Sequence, residues 1–182
     1  MVGFQISFHF KQNQTRFDYR LREENVQVQK FLDFGSFGRV FEGTYRKKKA
    51  AIKVFNKLVD RISDEDLDEI TKECELMASL KHQNTVRVFG LTQHDGCIAL
   101  VMEFATKGSL KKWIPEESFR QNIALQYDTL LGIASGLRFI HLKNIIHRDL
   151  KPDNILVFEE RSSSFVMKIT NFGESRVRFY IE

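Results

Sequence analysis

Apolar and polar residues alternate at several places in the first third of the chain. In residues 1–10, every second position is apolar: Phe4, Ile6, Phe8 and Phe10. A period of two predicts a half-buried β-strand. Residues 26–55 carry shorter alternations that are broken at Gly35, Gly38 and Gly43, and this pattern predicts three antiparallel strands.

A helix and two more strands are predicted for the middle of the chain. Ser63 precedes three acidic residues, and a hydroxyl cap followed by early carboxylates favours the start of a helix. We expect this helix to run to about Leu80. Residues 86–91 and 98–104 are strand-like and are separated by Asp95 and a glycine, which tolerate positive φ in a tight turn. The sequence therefore predicts a five-stranded sheet with one helix.

The second half of the chain predicts a helical lobe. In residues 122–142, apolar positions recur at intervals of three and four, the pattern of a helix with one buried face. The predicted face consists of Ile123, Tyr127, Leu130, Ala134, Leu137 and His141. Residues 155–158 and 166–169 predict two short strands around a polar loop at 159–164.

Composition and charge argue against several classes of protein. The chain of 182 residues is 42% hydrophobic and 29% charged, which is ordinary for a globular protein and unlike a disordered one. The net charge is only +4, so we expect no nucleic-acid partner. No apolar run of about 18 residues occurs, so we expect no membrane span. Cys74 and Cys97 have neither metal-ligand spacing nor the density of a disulfide scaffold, which favours a reducing compartment and a cytoplasmic location.

Two segments of the predicted sheet carry candidate binding residues. The turn at residues 32–40, LDFGSFGRV, contains Gly35 and Gly38. Glycine lets the backbone approach a ligand and turn its N–H groups toward phosphate oxygens, although spaced glycines also occur in ordinary hairpins. Lys53 lies inside an apolar strand, and a lysine in such a run usually points to solvent. From these residues alone, both interpretations stay open.

The strongest chemical signal is IIHRDLKPDNILV at residues 145–157. It holds a carboxylate, a lysine and an amide within one short turn, at Asp149, Lys151 and Asn154. This segment resembles the catalytic loop of the eukaryotic protein kinases, and the earlier segments occur in that family's order. The resemblance covers about residue 26 to the C-terminus. A lysine two residues after the aspartate is typical of kinases acting on serine and threonine, and the wider sequence is similar to the tyrosine-kinase-like group.

The resemblance implies an α+β, bilobal protein-kinase-like fold. A five-stranded antiparallel N-lobe with one helix would occupy about residues 26–104, and an incomplete helical C-lobe about residues 105–182. Residues 1–25 would form an N-terminal extension. The family's domain continues well beyond the Asp-Phe-Gly motif, so we expect the chain to be a truncated form of it. The implied activity is transfer of the ATP γ-phosphoryl group to serine or threonine of protein substrates, with ATP and Mg²⁺ as cofactors.

The same resemblance assigns catalytic roles to Asp149, Lys151, Lys53 and Glu73. Asp149 would accept the proton of the substrate hydroxyl, and Lys151 would neutralise charge on the transferring phosphoryl group. Lys53 would contact the α- and β-phosphates and would be held there by Glu73, with Glu75 as the competing carboxylate.

A nucleotide-binding set is implied as well. The glycine-bearing turn would cover the phosphates, Met102 would guard the back of the adenine pocket, and backbone groups of residues 103–105 would hydrogen-bond adenine. The complete set is Leu32, Asp33, Gly35, Ser36, Phe37, Gly38, Val40, Ala51, Lys53, Met102, Glu103, Ala105 and Leu156.

Two residues depart from the family's pattern. Asp33 stands where the first glycine of the phosphate loop is expected, and its carboxylate would either repel nucleotide or merely sit at the loop edge. Asn171 replaces the metal-binding aspartate of Asp-Phe-Gly, which leaves Asn154 and Asn171 as the implied metal ligands. An amide offers a neutral oxygen in place of a charged carboxylate, so we expect weak Mg²⁺ binding. The alternative to a weakly active kinase is therefore a pseudokinase that acts as a signalling scaffold and binds protein partners.

Overall fold

The computed structural model describes residues 19–35, 38–160 and 164–177. The strand predicted for residues 1–10 lies outside these ranges. The strands are β1 (Val26–Gly35), β2 (Gly38–Tyr45), β3 (Lys48–Leu58), β4 (Val88–His94), β5 (Cys97–Glu103), β6 (Ile145–Ile146), β7 (Ile155–Glu159), β8 (Phe165–Ile169) and β9 (Arg176–Val177). The α-helices are α1 (Asp64–Ser79), α2 (Leu110–Trp113), α3 (Glu117–Arg120) and α4 (Ile123–Leu142), and short 3₁₀ turns lie at Glu23–Asn25 and Pro152–Asn154.

β1 to β5 form one antiparallel sheet in the order β1-β2-β3-β5-β4. With α1, this sheet makes up the N-terminal lobe and confirms the prediction of five strands and one helix. β4 ends at His94 and not at residue 91, and it begins later than the predicted residue 86 because the residues before it bond elsewhere. Val86 N donates to Ile169 O at 2.9 Å, and Arg87 N donates to Glu103 Oε1 at 2.7 Å.

The start of α1 follows from its cap. The Ser63 side chain accepts a hydrogen bond from Asp66 N at 3.1 Å, so it satisfies one of the N–H groups left open at a helix N-terminus. The helix then buries one face, formed by Ile70, Glu73, Cys74 and Met77. A carboxylate therefore faces inward among apolar side chains.

The two faces of β3 separate its core residues from its chemistry. One face, together with the same face of β5, forms a core of Ala50, Ile52, Val54, Cys97, Ala99 and Val101. Successive side chains of a strand point to opposite faces, so Ala51, Lys53 and Phe55 point the other way. Ala51 and Phe55 belong to the larger core, which also includes buried residues of α1 and of the hairpin β7–β8. Lys53 is thus directed toward α1 and not into solvent.

The prediction of the buried face of α4 is wrong. Five of the six predicted residues are exposed and one is half-buried: Ile123, Tyr127, Leu130, Ala134 and His141 are exposed, and Leu137 is half-buried. Leu130 keeps 65% of its surface accessible. The helix instead buries Thr129, Gly136 and Ile140.

Small side chains explain which face of α4 is buried. A Cβ at Gly136 would lie 2.8 Å from the Asn84 carbonyl oxygen and 3.0 Å from Ile169 Cδ1. The missing side chain lets the backbone before β4 and the end of β8 pack directly on the helix. Glycine and threonine add little to an apolar pattern, so the large apolar residues indicated the opposite face.

The helical lobe carries the predicted hairpin. β7 and β8 pair antiparallel, from Ile155 opposite Ile169 to Glu159 opposite Phe165, which confirms the two short strands. The connection from β5 is bonded to β7, since Lys107 N donates to Val157 O at 3.1 Å and Val157 N donates to Gly108 O at 2.8 Å. These bonds fix the hairpin beside the sheet, and the region between the sheet and the hairpin is called the cleft below.

The arrangement confirms the predicted α+β class with two lobes. Within the described ranges, no helix has both the length and the apolar character that crossing a bilayer requires.

Candidate active site in the cleft between the lobes

Lys53 and Glu73 form a buried ion pair at the sheet side of the cleft. Lys53 Nζ lies 3.2 Å from Glu73 Oε1, and each residue is 8% exposed. The ammonium also lies 4.9 Å from the centroid of the Phe55 ring. Glu75, the competing carboxylate, points to solvent from the same helix. The fold therefore brings Lys53 together with Glu73 and not with Glu75.

His147 anchors the loop that carries the candidate catalytic residues. Its ring is buried, and Asp149 N donates to its Nδ1 at 3.3 Å. Nδ1 is thus an acceptor, so Nε2 carries the proton and donates to Thr170 O at 2.9 Å. The ring also makes an edge contact with Phe172 at 4.9 Å between centroids. Burial lowers the pKa of His147, which keeps this neutral tautomer.

Asp149 is held as an ionised carboxylate by two neighbours. Lys151 Nζ lies 2.9 Å from Asp149 Oδ2, and Asn154 Nδ2 donates to the same oxygen at 2.9 Å. Asn154 Nδ2 also donates to the Asp149 carbonyl at 2.8 Å. The hydrogen bond from Lys151 is the main reason that the pKa of Asp149 lies below its usual range. The fold thus brings three of the predicted residues into one contact network.

Asn171 extends this network by one more hydrogen bond. Its Nδ2 donates to Asn154 Oδ1 at 3.2 Å. Its own Oδ1 is buried and accepts no hydrogen bond from any residue of the described ranges. The backbone of Asn171 has a φ of 65°, a left-handed conformation that asparagine adopts more readily than most residues.

The donor set around Asn154 and Asn171 does not fit a tightly held Mg²⁺ ion. Mg²⁺ takes oxygen ligands in a strict octahedron and is usually bound through carboxylates. Here Asn171 Nδ2 donates a hydrogen bond to Asn154 Oδ1, the oxygen that would otherwise face the metal ion. In the part of the chain that the structure describes, no three His, Cys, Asp or Glu side chains lie close enough to hold a metal ion. The arrangement opposes tight binding of the cation.

The predicted phosphate loop is described only at its two strands, since Ser36 and Phe37 lie outside the described residues. Leu32 and Gly35 are exposed and Val40 is half-buried. Gly38 is required for a reason that the sequence did not indicate. A Cβ there would clash with the Val54 carbonyl of the neighbouring strand, so this glycine permits the close approach of β2 to β3.

Asp33 is paired with a lysine of the other lobe. Its Oδ2 lies 2.7 Å from Lys112 Nζ on α2, and the hydrogen bond from Lys112 lowers the pKa of Asp33. The sequence left open whether this carboxylate repels nucleotide or sits at the loop edge. The structure shows a third arrangement, in which its charge is partly compensated by an ion pair that links the two lobes.

The predicted adenine-side residues lie where β3, β5 and β7 meet the connection between the lobes. Ala51 and Met102 are register partners in β3 and β5, and both are buried. Ala105 and Leu156 are half-buried, and Leu156 forms an isolated bridge with Ser109. Ala51 and Met102 belong to the larger core, and Ala105 and Leu156 pack against it, so the fold brings these side chains together.

Sequence reasoning missed three charged side chains at the cleft: Lys112, Lys168 and the carboxylate of Glu103. Lys168 Nζ contacts both carboxylate oxygens of Glu103 at 2.8 Å. Lys168 lies inside an otherwise apolar strand and Glu103 ends one, and that signal could have indicated a pair of opposite charges. Lys112 lies in a short basic run and gives no such signal.

Comparison with known proteins agrees with the geometry. The family described as protein tyrosine and serine/threonine kinase matches residues 26–180. The serine/threonine-protein kinase STY17 of Arabidopsis thaliana is 30% identical over 161 residues, which are 88% of this chain. The RGS domain-containing serine/threonine-protein kinase A of Dictyostelium discoideum is 37% identical over 153 residues, or 84% of the chain.

Both relatives are much longer than the chain. The matched segment is 27% of the Arabidopsis protein and 13% of the Dictyostelium protein. A third relative, a putative serine/threonine-protein kinase/receptor R831 of Acanthamoeba polyphaga mimivirus, is 32% identical over 85% of the chain and 9% of its own length. The similarity therefore concerns one domain of larger proteins.

Proposed function

Because the chain belongs to the protein tyrosine and serine/threonine kinase family, we propose that it binds ATP and transfers the γ-phosphoryl group to serine or threonine of protein substrates. Members of this family generally use ATP and Mg²⁺. The acceptor class is supported by the names of the relatives, which are serine/threonine kinases, and by Lys151 two residues after Asp149.

The observation that carries the proposal is the network at Asp149. Lys151 and Asn154 fix its carboxylate at 2.9 Å each and keep it ionised. An ionised, oriented carboxylate can accept the proton of a substrate hydroxyl while that oxygen attacks. Lys151, held beside it, supplies positive charge where negative charge develops on the transferred group.

The pair of Lys53 and Glu73 supports nucleotide binding at the sheet side. A lysine on a flexible stem loses conformational freedom when it binds a phosphate. Glu73 already restricts that ammonium at 3.2 Å, so much of this cost is met before ATP arrives. Lys53 would then contact the α- and β-phosphates.

The glycine-bearing turn and the adenine-side residues complete the proposed pocket. Leu32 to Gly38 would cover the phosphates, and Val40, Ala51, Met102 and Leu156 would enclose the base. Backbone groups from Glu103 to Ala105 would hydrogen-bond it.

A second candidate function is a catalytically inactive scaffold that signals by binding protein partners. The hydrogen bond from Asn171 to Asn154 favours it, because this bond opposes the cation on which the family's chemistry depends. Between the two, we propose a kinase whose phosphoryl transfer is weak.

Two further proposals concern context. We propose that residues 1–25 are an extension preceding the kinase domain, which the start of the family match at residue 26 supports. We also propose a cytoplasmic location, supported by the two cysteines, which are buried and not joined in a disulfide.

Transfer of radiolabelled phosphate from ATP to casein tests the function. The parent should label casein on serine or threonine above background, and Asp149→Asn should abolish the labelling. Glu160→Gln, an exposed acidic position outside the cleft, serves as a matched control that should leave it unchanged. Absence of labelling by a folded parent that still binds ATP would favour the scaffold.

A further inference from the structure

The polar network of the cleft ends in two amides that bond to each other. Lys151 contacts Asp149, Asp149 accepts from Asn154, and Asn154 accepts from Asn171. Both N–H groups of Asn154 bond Asp149 through one nitrogen, so the Asn154 amide is fixed with its oxygen toward Asn171. Asn171 then presents its own nitrogen to Asn154 Oδ1, while its Oδ1 is buried and accepts no hydrogen bond from the described residues.

We propose that the amide pair of Asn154 and Asn171 takes the place of a divalent cation, so that this cleft binds nucleotide without Mg²⁺. The inference rests on the proposed function, since it concerns how the same cleft holds ATP. It adds that the cation is replaced by an internal hydrogen bond and is not merely held more weakly.

The charges of the cleft agree with this replacement. Among the cationic side chains of the cleft, Lys53 forms an ion pair with Glu73 and Lys151 forms one with Asp149. Within each of these pairs the two charges cancel. A carboxylate at position 171 would leave an excess negative charge beside the phosphates, and a cation would be needed to offset it. The neutral amide adds no such charge.

The geometry also explains why an aspartate at position 171 would restore a cation site. A carboxylate only accepts hydrogen bonds, so it could not donate to Asn154 Oδ1. Two oxygens would then face each other at the distance now spanned by the 3.2 Å hydrogen bond. That arrangement is repulsive unless a cation lies between the oxygens.

Binding of Mn²⁺ in the absence of nucleotide tests the amide pair directly. Electron paramagnetic resonance of free Mn²⁺ would measure the affinity of the parent and of Asn171→Asp. We expect Asn171→Asp to bind Mn²⁺ on the order of 10–100-fold more tightly, the range that changes at metal-site partners produce. Asn144→Asp, the same chemical change at an exposed position with similar backbone φ (58°), should match the parent. Equal Mn²⁺ affinity in the parent and Asn171→Asp would overturn the inference.

Nuclear magnetic resonance of the parent gives a readout that needs no variant to fold. The side-chain Nδ2 resonances of Asn154 and Asn171 should remain unchanged as Mg²⁺ is added. A saturable shift of either resonance would mean that the amides open to bind the ion, and the inference would fail.

Measuring ATP binding with and without Mg²⁺ separates this inference from the proposed function. The Kd of the parent for ATP should agree within about twofold between EDTA and Mg²⁺ buffers, since no cation links the phosphates to the amide pair. Binding only with Mg²⁺ would overturn the inference and leave the proposed function intact. Absence of ATP binding in both buffers would contradict the proposed function and the claim of Mg²⁺-free binding, while the Mn²⁺ comparison would still decide whether the amide pair excludes the cation.

Discussion

Glu103 holds Lys168 through both of its carboxylate oxygens, each 2.8 Å from the Lys168 ammonium. Glu103 Oε1 also accepts from Arg87 N, and Lys168 Nζ lies 4.5 Å from the centroid of the Phe158 ring. The side chains of Lys168 and Glu103 are only 17% and 20% exposed. The contact joins the last residue of β5 to β8, so it couples the sheet to the hairpin of the helical lobe.

Replacing Lys168 by methionine should destabilise the protein by about 1.5–3 kcal/mol, the range for hydrogen bonds to charged groups. Methionine keeps most of the apolar stem over Phe158 but leaves the Glu103 carboxylate without its cation. Urea unfolding followed by circular dichroism would measure the change in free energy.

Lys107→Met is the matched control for this prediction. Lys107 also pairs with a glutamate, Glu159, at 3.2 Å, and lies over an aromatic ring, Phe165, at 5.9 Å. Its side chain and that of Glu159 are 38% and 40% exposed, so solvent screens the pair and we expect a loss below about 1 kcal/mol. Equal losses in the two variants would contradict the role assigned to burial.

The pair of Lys53 and Glu73 should behave differently when one or both partners are removed. Glu73→Leu removes the carboxylate that pairs with the buried Lys53 ammonium and should cost about 3–5 kcal/mol. In the double variant Lys53→Met with Glu73→Leu no buried charge remains, so most of the stability should return even though ATP binding is lost. Urea unfolding of the three proteins would measure this, and a double variant as unstable as the single one would refute the argument.

The sheet and α1 were predictable because their signals are local. A strand shows its period within a few residues, and Ser63 caps its own helix through Asp66 N, three residues away. The kinase resemblance named residues that the fold brings into contact, Lys53 with Glu73 and Asp149 with Asn154. The hydrogen bond between the two amides was not predictable, since Asn171 reaches Asn154 over 17 residues of sequence and the orientation of an amide depends on every neighbour.

The orientation of α4 was not predictable from apolar counting for a physical reason. The helix is apolar on more than one side, and the buried side is selected by how closely the backbone of Asn84 and the end of β8 can approach Gly136. Such close approach requires a small side chain on the helix, and a hydrophobic pattern does not measure side-chain volume.

Two truncations on α4 test which face is buried. Ile140 is fully buried, so Ile140→Ala should leave a cavity and cost about 2–5 kcal/mol. Leu130 is 65% exposed, so Leu130→Ala should change the free energy of unfolding by no more than about 0.5 kcal/mol. Both substitutions introduce alanine, which favours a helix, so the comparison reports on side-chain burial. Urea unfolding would measure the free energy of unfolding of both variants. A larger loss for Leu130→Ala would mean that the sequence pattern had indicated the correct face.

His147 should make stability depend on pH near neutrality. Burial lowers its pKa in the folded protein below the ordinary value of 6.5, so the unfolded chain binds a proton that the folded one does not. Stability should therefore be undiminished above pH 6.5 and should fall as the pH drops from 6.5 toward the lowered value. Urea unfolding between pH 5 and 8 would show this slope. His147→Gln should flatten it, whereas His141→Gln, at an exposed position, should not.

The ion pair of Asp33 and Lys112 should influence nucleotide affinity through charge alone. Lys112→Met would leave the Asp33 carboxylate uncompensated beside the proposed phosphate loop. We expect the Kd for ATP to rise by about two- to fivefold at low ionic strength, because an exposed pair contributes no more than about 1 kcal/mol. The effect on the Kd should vanish near 1 M salt, where the Debye length is about 3 Å. Adding Asp33→Asn to Lys112→Met should restore the parent Kd.

Lys111→Met is the control for this prediction. It removes the neighbouring lysine, which pairs with Asp153 at 2.8 Å, and should raise the Kd for ATP less. If Lys111→Met weakened ATP binding equally, the general charge of α2 and not its contact with Asp33 would be responsible.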